Sequence, residues 1–79
     1  MRRSSKPQPA LGAAIRELRD KKGMTQEAVA QSAGITVAHL SGIERGQANP
    51  SWGAVTAIAD ALGSSMAEVG KLADKRRSS

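Results

Sequence analysis

The side chains able to do covalent or acid-base chemistry are few: one histidine, His39, and neither cysteine nor tyrosine in 79 residues. No cluster of carboxylates stands in for them, so neither a nucleophile-base pair nor an acid-base dyad can be assembled and the chain is read as a non-enzyme. His39 has no second ligand candidate beside it, and no metal site or cofactor is expected. Noncovalent recognition remains, and one stretch concentrates it. Residues 25–46, TQEAVAQSAGITVAHLSGIERG, fit two helix starts and a glycine turn into a short span. Thr36, Val37, Ala38, His39, Ser41, Gly42 and Arg45 fall largely outside the face that Ile35, Leu40 and Ile43 turn inward. A short helix standing proud of the surface with such an outer face suits a DNA groove.

The elements that position those residues follow from local signals. Thr25 is an N-cap, Glu27 lies where the positive helix end favours an acid, and Val29 and Ala30 open an inward face, predicting a helix over about 26–33. Gly34 permits positive φ past its end, Ile35 returns an apolar side chain to the core, and Thr36 caps a second helix over about 37–45. So short a turn forces a steep crossing of the two, as in helix-turn-helix units. Gly46 closes the second helix, and Ser51 is the next clear cap.

Three further helices complete the reading. The first spans about 9 or 10 to 22, with Pro9 near its first position, Leu11, Ile15 and Leu18 on one face, Lys21 and Lys22 at the negative end and Gly23 as the stop. The fourth covers about 52–62, burying Val55, Ile58, Ala59 and Leu62 before Gly63. The fifth opens on a capping box, Ser65 with Glu68, and runs to about Lys75 with Met66, Val69 and Leu72 as its apolar stripe. No strand pattern or internal repeat interrupts them. The expected fold is all-α, five short helices around one core.

Length and charge bound the partners. A core of this size only marginally offsets chain entropy, and without cysteine no disulfide braces it, so self-association is a natural source of added stability. No apolar run approaches the ~20 residues that span a bilayer, and no apolar stretch follows the basic N-terminus to make a signal peptide; a cytoplasmic protein with no membrane partner is the default. The formal net charge is +5, yet residues 10–74 hold six bases against seven acids. The excess sits in Arg2, Arg3 and Lys6 at one end and Lys75, Arg76 and Arg77 at the other. The chain thus divides into a basic arm, 1–9, a nearly neutral domain, 10–74, and a basic tail, 75–79. Arm and tail either attract phosphate irrespective of sequence or merely solubilise the ends. Pro7 and Pro9 keep the arm extended.

The motifs together resemble the lambda-type phage repressor DNA-binding domain, of the large bacterial regulator family (XRE-type) that includes restriction-modification controller proteins and many antitoxins. The resemblance covers about residues 10–73. It rests on Arg19, Gly-Met-Thr-Gln at 23–26, Ala-Gly-Ile-Thr at 33–36, Ile-Glu-Arg-Gly at 43–46, the pair Pro50 and Ser51, and Ala-Leu-Gly at 61–63. It implies a compact five-helix fold and a DNA-binding transcription regulator, a repressor type included, that binds double-stranded operator half-sites as a homodimer.

Residue roles follow from the resemblance one by one. Gln26 is implied to hydrogen-bond a phosphate while bracing the head of the recognition helix. Thr36, Val37 and Ala38 lie at the helix end that enters the major groove. Relatives often carry glutamine, arginine or asparagine there; this chain offers only surfaces that touch a thymine methyl or exclude a competitor, which predicts modest specificity or reliance on DNA shape. His39 and Ser41 are candidates for a base edge or phosphate. Gly42 either permits close approach of backbone to DNA or is simply tolerated. Arg45 points outward toward phosphate, and backbone N–H groups at Ser51, Trp52 and Gly53 suit one too. Trp52 alternatively covers core or lies in a subunit interface. Arg19 and Glu44 match a partly buried ion pair between the first and third helices. Related repressors use arms such as Arg2, Arg3 and Lys6 to track a groove. The dimer surface is expected around Met66, Val69 and Leu72, some of which complete the monomer core. An antitoxin that binds a toxin protein and represses its own operon, or a restriction-modification controller, is the alternative.

Overall fold

The computed structural model describes residues 8–78. Five helices follow one another: α1 (Pro9–Lys21), α2 (Gln26–Ala33), α3 (Val37–Glu44), α4 (Trp52–Leu62) and α5 (Met66–Ser78). Among the described residues there is no strand. Each start from α2 onward is fixed by one hydroxyl accepting the backbone N–H three residues on, at 3.0 Å: Thr25 from Ala28, Thr36 from His39, Ser51 from Ala54 and Ser65 from Glu68. Such a cap satisfies one of four amide groups that a helix start leaves without a partner, a contribution of ~1 kcal/mol each. In α1, Pro9 takes the first helical position without a side-chain cap before it.

Endings are as regular as the starts. The N–H of Met24, Ile35, Gln47 and Ser64 each reaches back five residues, to the carbonyls of Arg19, Ala30, Gly42 and Ala59 at 2.8–3.1 Å. That wrap needs a left-handed residue just inside it. Gly34, at φ 74°, supplies it between α2 and α3 and turns Ile35 back against the core.

Ile15, Leu18, Val29, Ala30, Leu40, Ile43, Ile58, Ala59, Leu62 and Val69 form the buried core, with every helix represented. Burying such side chains contributes roughly 1.5–3 kcal/mol for each of the larger ones. α1 packs on α5 and α3, and α2 on α4 and α3. Val69 is therefore core, and the expectation that it forms dimer surface is corrected: it lies on the α5 face that α1 and α4 cover.

α5 runs three residues further than expected, so Lys75, Arg76 and Arg77 are its last turn and not a tail. Two forces carry the helix on. Three cations sit at the negative helix end, and Arg76 reaches across to Glu17 of α1 at 3.0 Å while Arg77 pairs with Asp74 at 3.0 Å. One weak point lies on the same helix. A Cβ placed on Gly70 meets nothing within 4 Å, so Gly70→Ala should gain about 1 kcal/mol of helix propensity without a steric penalty. The expected outcome in a thermal melt followed by circular dichroism is a midpoint raised by roughly 4–8 °C, and an unchanged or lowered midpoint would contradict it.

Candidate nucleic-acid interface

Three helix ends meet at one carboxylate. Arg19 in the last turn of α1 donates from Nε to Glu44 Oε2 at 2.7 Å and from Nη2 to Oε1 at 3.1 Å. Gln26, the first residue of α2, donates from Nε2 to the same Oε1 at 3.0 Å. Glu44 is the last residue of α3, its side chain 3 % exposed against 12 % for Arg19. A third Arg19 donor, Nη1, holds the Met24 carbonyl at 2.9 Å in the loop before α2. The hydrogen bond to Glu44 raises the Arg19 pKa above its ordinary value, burial opposes it, and the charges of Glu44, Asp20 and Glu27 add to it. The guanidinium stays charged at any working pH. A bidentate fork of this kind constrains direction as well as distance.

The network grips α3 by its C-terminal end, where a second constraint acts. A Cβ on Gly12 of α1 would collide with the carbonyl oxygen of Ile43 and stand 3.1 Å from that of Glu44. The two helix backbones thus meet where only glycine fits. α3 is anchored at its tail, and its head is left outside. Thr36, Val37, Ala38 and His39 are all exposed, whereas Leu40 and Ile43 are buried.

Exposed charge is sparse along this part of the chain. Between Ala28 and Ala59 the one acid is Glu44, buried and neutralised by Arg19. Arg45 is exposed at the end of α3 and makes no ion pair among the described residues. Arg45 and the starts of α3 and α4 offer a phosphate a cation and helix N–H groups, and the exposed carboxylate that borders this stretch is Glu27 in the first turn of α2.

Several sequence expectations are placed differently. Gln26 reaches the tail of α3 through Glu44 instead of bracing its head, because the start of α2 lies beside the end of α3. Gly42 is buried against Ala48, whose Cβ would stand 3.3 Å from a Cβ at Gly42, and its carbonyl accepts from Gln47 and Ala48. It faces the returning chain, so its candidacy as a DNA contact is withdrawn. Ser41 is half-buried beside it in sequence. Ser51 is exposed, with its hydroxyl engaged as the cap of α4. Trp52 is 72 % exposed, which rules out a role in covering the core. It rims an apolar groove of about 310 Å³ shared with Leu11, Pro50, Val55 and Met66. Met66 and Leu72 are half-buried against the core. Arg2, Arg3 and Lys6 lie outside the described residues.

Two contributors escaped the sequence reading. Gly12 gave one signal, a glycine inside a helix where alanine would be more stable by ~1 kcal/mol. Glu17, bonded to Arg76, gave none, since its partner lies 59 positions away. No group of three or more metal-ligating side chains is assembled among the described residues, and no helix there is long and apolar enough to cross a membrane.

Two capped helices about a glycine turn, the second offering its first turn to solvent, define a helix-turn-helix protein. The chain belongs to the helix-turn-helix family of transcriptional regulators: the family's domain model matches residues 10–72. It is 39 % identical over 59 residues to y4dJ, an uncharacterised HTH-type transcriptional regulator of Sinorhizobium fredii, covering 75 % of this chain and 77 % of that protein. Among solved structures it resembles the clp gene regulator ClgR of Corynebacterium glutamicum, with 33 % identity, a TM-score of 0.83 and coverage of 92 % of this chain and 96 % of the other. It also resembles the restriction-modification controller protein C.Esp1396I, solved as a tetramer in complex with its natural 35 base-pair operator. There the identity is 28 % and the TM-score 0.79, over 85 % of this chain and 88 % of that one.

Proposed function

We propose that this chain regulates transcription in the cytoplasm by binding operator DNA as a homodimer, acting through binding and not catalysis. The observation that carries the reading is the exposed first turn of α3, its helix held at the other end by the Arg19, Gln26 and Glu44 network. Thr36, Val37, Ala38 and His39 enter the major groove, and Arg45 and the start of α4 at Ser51 meet phosphate. One such helix covers only a few base pairs; a two-fold pair on half-sites about one turn apart supplies the missing contacts. Met66 and Leu72 contribute to that dimer. The operator-bound likeness to C.Esp1396I supports both parts.

Selection of bound duplexes from a random library, followed by salt titration of the best site, tests the proposal. A palindromic motif is expected. Arg45→Ala should weaken every duplex alike and flatten the logarithmic salt slope by about 1 per subunit, and removal of residues 1–6 should flatten it further if the arm meets phosphate. Enrichment of no motif, with binding indifferent to sequence, would overturn the regulator reading for this surface.

A further inference from the structure

We infer that the first turn of α3 reads the C5-methyl groups of pyrimidines, with Val37 as the residue that sets the preference. The inference rests on the operator-binding reading and deepens it. Val37 and Trp52 are the exposed large hydrophobics among the described residues, and Val37 alone stands on α3. It is the first residue of that helix and 37 % exposed, so its branched side chain is partly packed on the protein and partly free to meet a ligand.

Its neighbours narrow the chemistry. Thr36 Oγ1 already accepts the His39 N–H at 3.0 Å, Ala38 presents a methyl, and the His39 ring is the remaining polar side chain of the turn. No asparagine, glutamine or arginine occupies 36–39, so the two-pronged hydrogen bonds that recognise adenine or guanine have no source there. Of the groups the major groove displays, the apolar one is the C5-methyl of thymine. The same methyl is carried by 5-methylcytosine. Against guanine or adenine, Val37 would cover donors or acceptors and leave them without partners, and against unmethylated cytosine it would meet a C5–H with no methyl group to bury. Readout at this position therefore favours a methylated pyrimidine whichever base carries it.

The test uses the full chain and the duplex that selection returns, with anisotropy measured at one fixed salt concentration. Each thymine is replaced by deoxyuridine, symmetrically in both half-sites. At one position the affinity should fall about fourfold per methyl, about fifteenfold for the symmetric pair. Placing cytosine there should weaken binding, and 5-methylcytosine should recover about fourfold per half-site over cytosine. In Val37→Ser, thymine and deoxyuridine duplexes should bind alike. A selected motif with no deoxyuridine position losing more than twofold overturns the methyl reading and leaves operator binding standing. A penalty that persists in Val37→Ser removes the assignment to Val37. If no motif is selected, the operator-binding reading fails and the methyl reading with it.

Discussion

Glu44→Ala is expected to leave the domain unfolded or close to it at 37 °C, with a melting midpoint at least about 12 °C lower. Three donors from Arg19 and Gln26 converge on the two oxygens of the Glu44 carboxylate, and truncation leaves a guanidinium 12 % exposed whose remaining carboxylate partner is the exposed Asp20, at 3.6 Å. Removing one member of a buried pair costs roughly 3–5 kcal/mol, chiefly because the remaining charge stays desolvated. A small domain has on the order of 5–15 kcal/mol in all, and each kcal/mol moves the midpoint by roughly 4–8 °C at this size. The pair itself is a poor source of net stability, since desolvation opposes its Coulomb attraction. Arg19→Met with Glu44→Leu should consequently melt well above Glu44→Ala alone, while placing the head of α3 less well. Circular dichroism melts read the first effect and operator affinity the second. A Glu44→Ala chain with an unchanged midpoint and an altered base preference would refute the account.

That separation of stability from placement explains which parts of the fold were legible in the sequence. Helix starts were, because each is set within four residues: a hydroxyl at Thr25, Thr36, Ser51 or Ser65 and the N–H three positions on. The turn at Gly34 was legible for the same local reason. The end of α5 was not, since neither glycine nor proline stops it and an ionic contact from Arg76 to Glu17 of α1 helps carry it on. Gly42 misled in a related way. Helical periodicity placed it off the inward face, but the chain beyond α3 folds back and hangs two amides on the Gly42 carbonyl, burying what periodicity alone left outside.

The site divides along the same line. Its residues at 36–39 follow from the register of one helix, whereas the parts that hold the helix in place come from α1 and α2 and meet only in three dimensions. The pairing of Arg19 with Glu44 is implied by family resemblance, whereas the attachment of Gln26 to the tail of α3 depends on tertiary packing that no local pattern encodes. Anchoring at the tail has a mechanical consequence. Small rotations about the Glu44 end displace the residues at the other end most, so the reading turn is sensitive to whatever fixes the contact between α1 and α3.

Gly12 is the sharpest case of that sensitivity, and Gly12→Ala is expected to destabilise the chain and weaken operator binding together. Helix propensity alone predicts the opposite, a gain of about 1 kcal/mol in the interior of α1. The sign is decided by space. A Cβ there would overlap the Ile43 carbonyl oxygen, with the Ile43 carbonyl carbon at 3.0 Å and the Glu44 oxygen at 3.1 Å, and all three are backbone atoms that cannot rotate aside. Relief requires α1 and α3 to separate, which strains the fork between Arg19 and Glu44 and loosens the contacts of Ile15 and Ile43 in the core. Overpacking of this kind typically costs 1–3 kcal/mol, and displacement by backbone atoms places it at the upper end. The midpoint should fall by roughly 8–16 °C after the propensity gain is subtracted. Gly70→Ala, with the same side chain added in open space, is the matched control and should move the midpoint the other way. At a temperature where both variants are folded, Gly12→Ala should bind the selected operator more weakly, and Gly70→Ala should bind it as the parent does. Equal stability and equal affinity for Gly12→Ala and the parent would show that α1 does not set the height of α3.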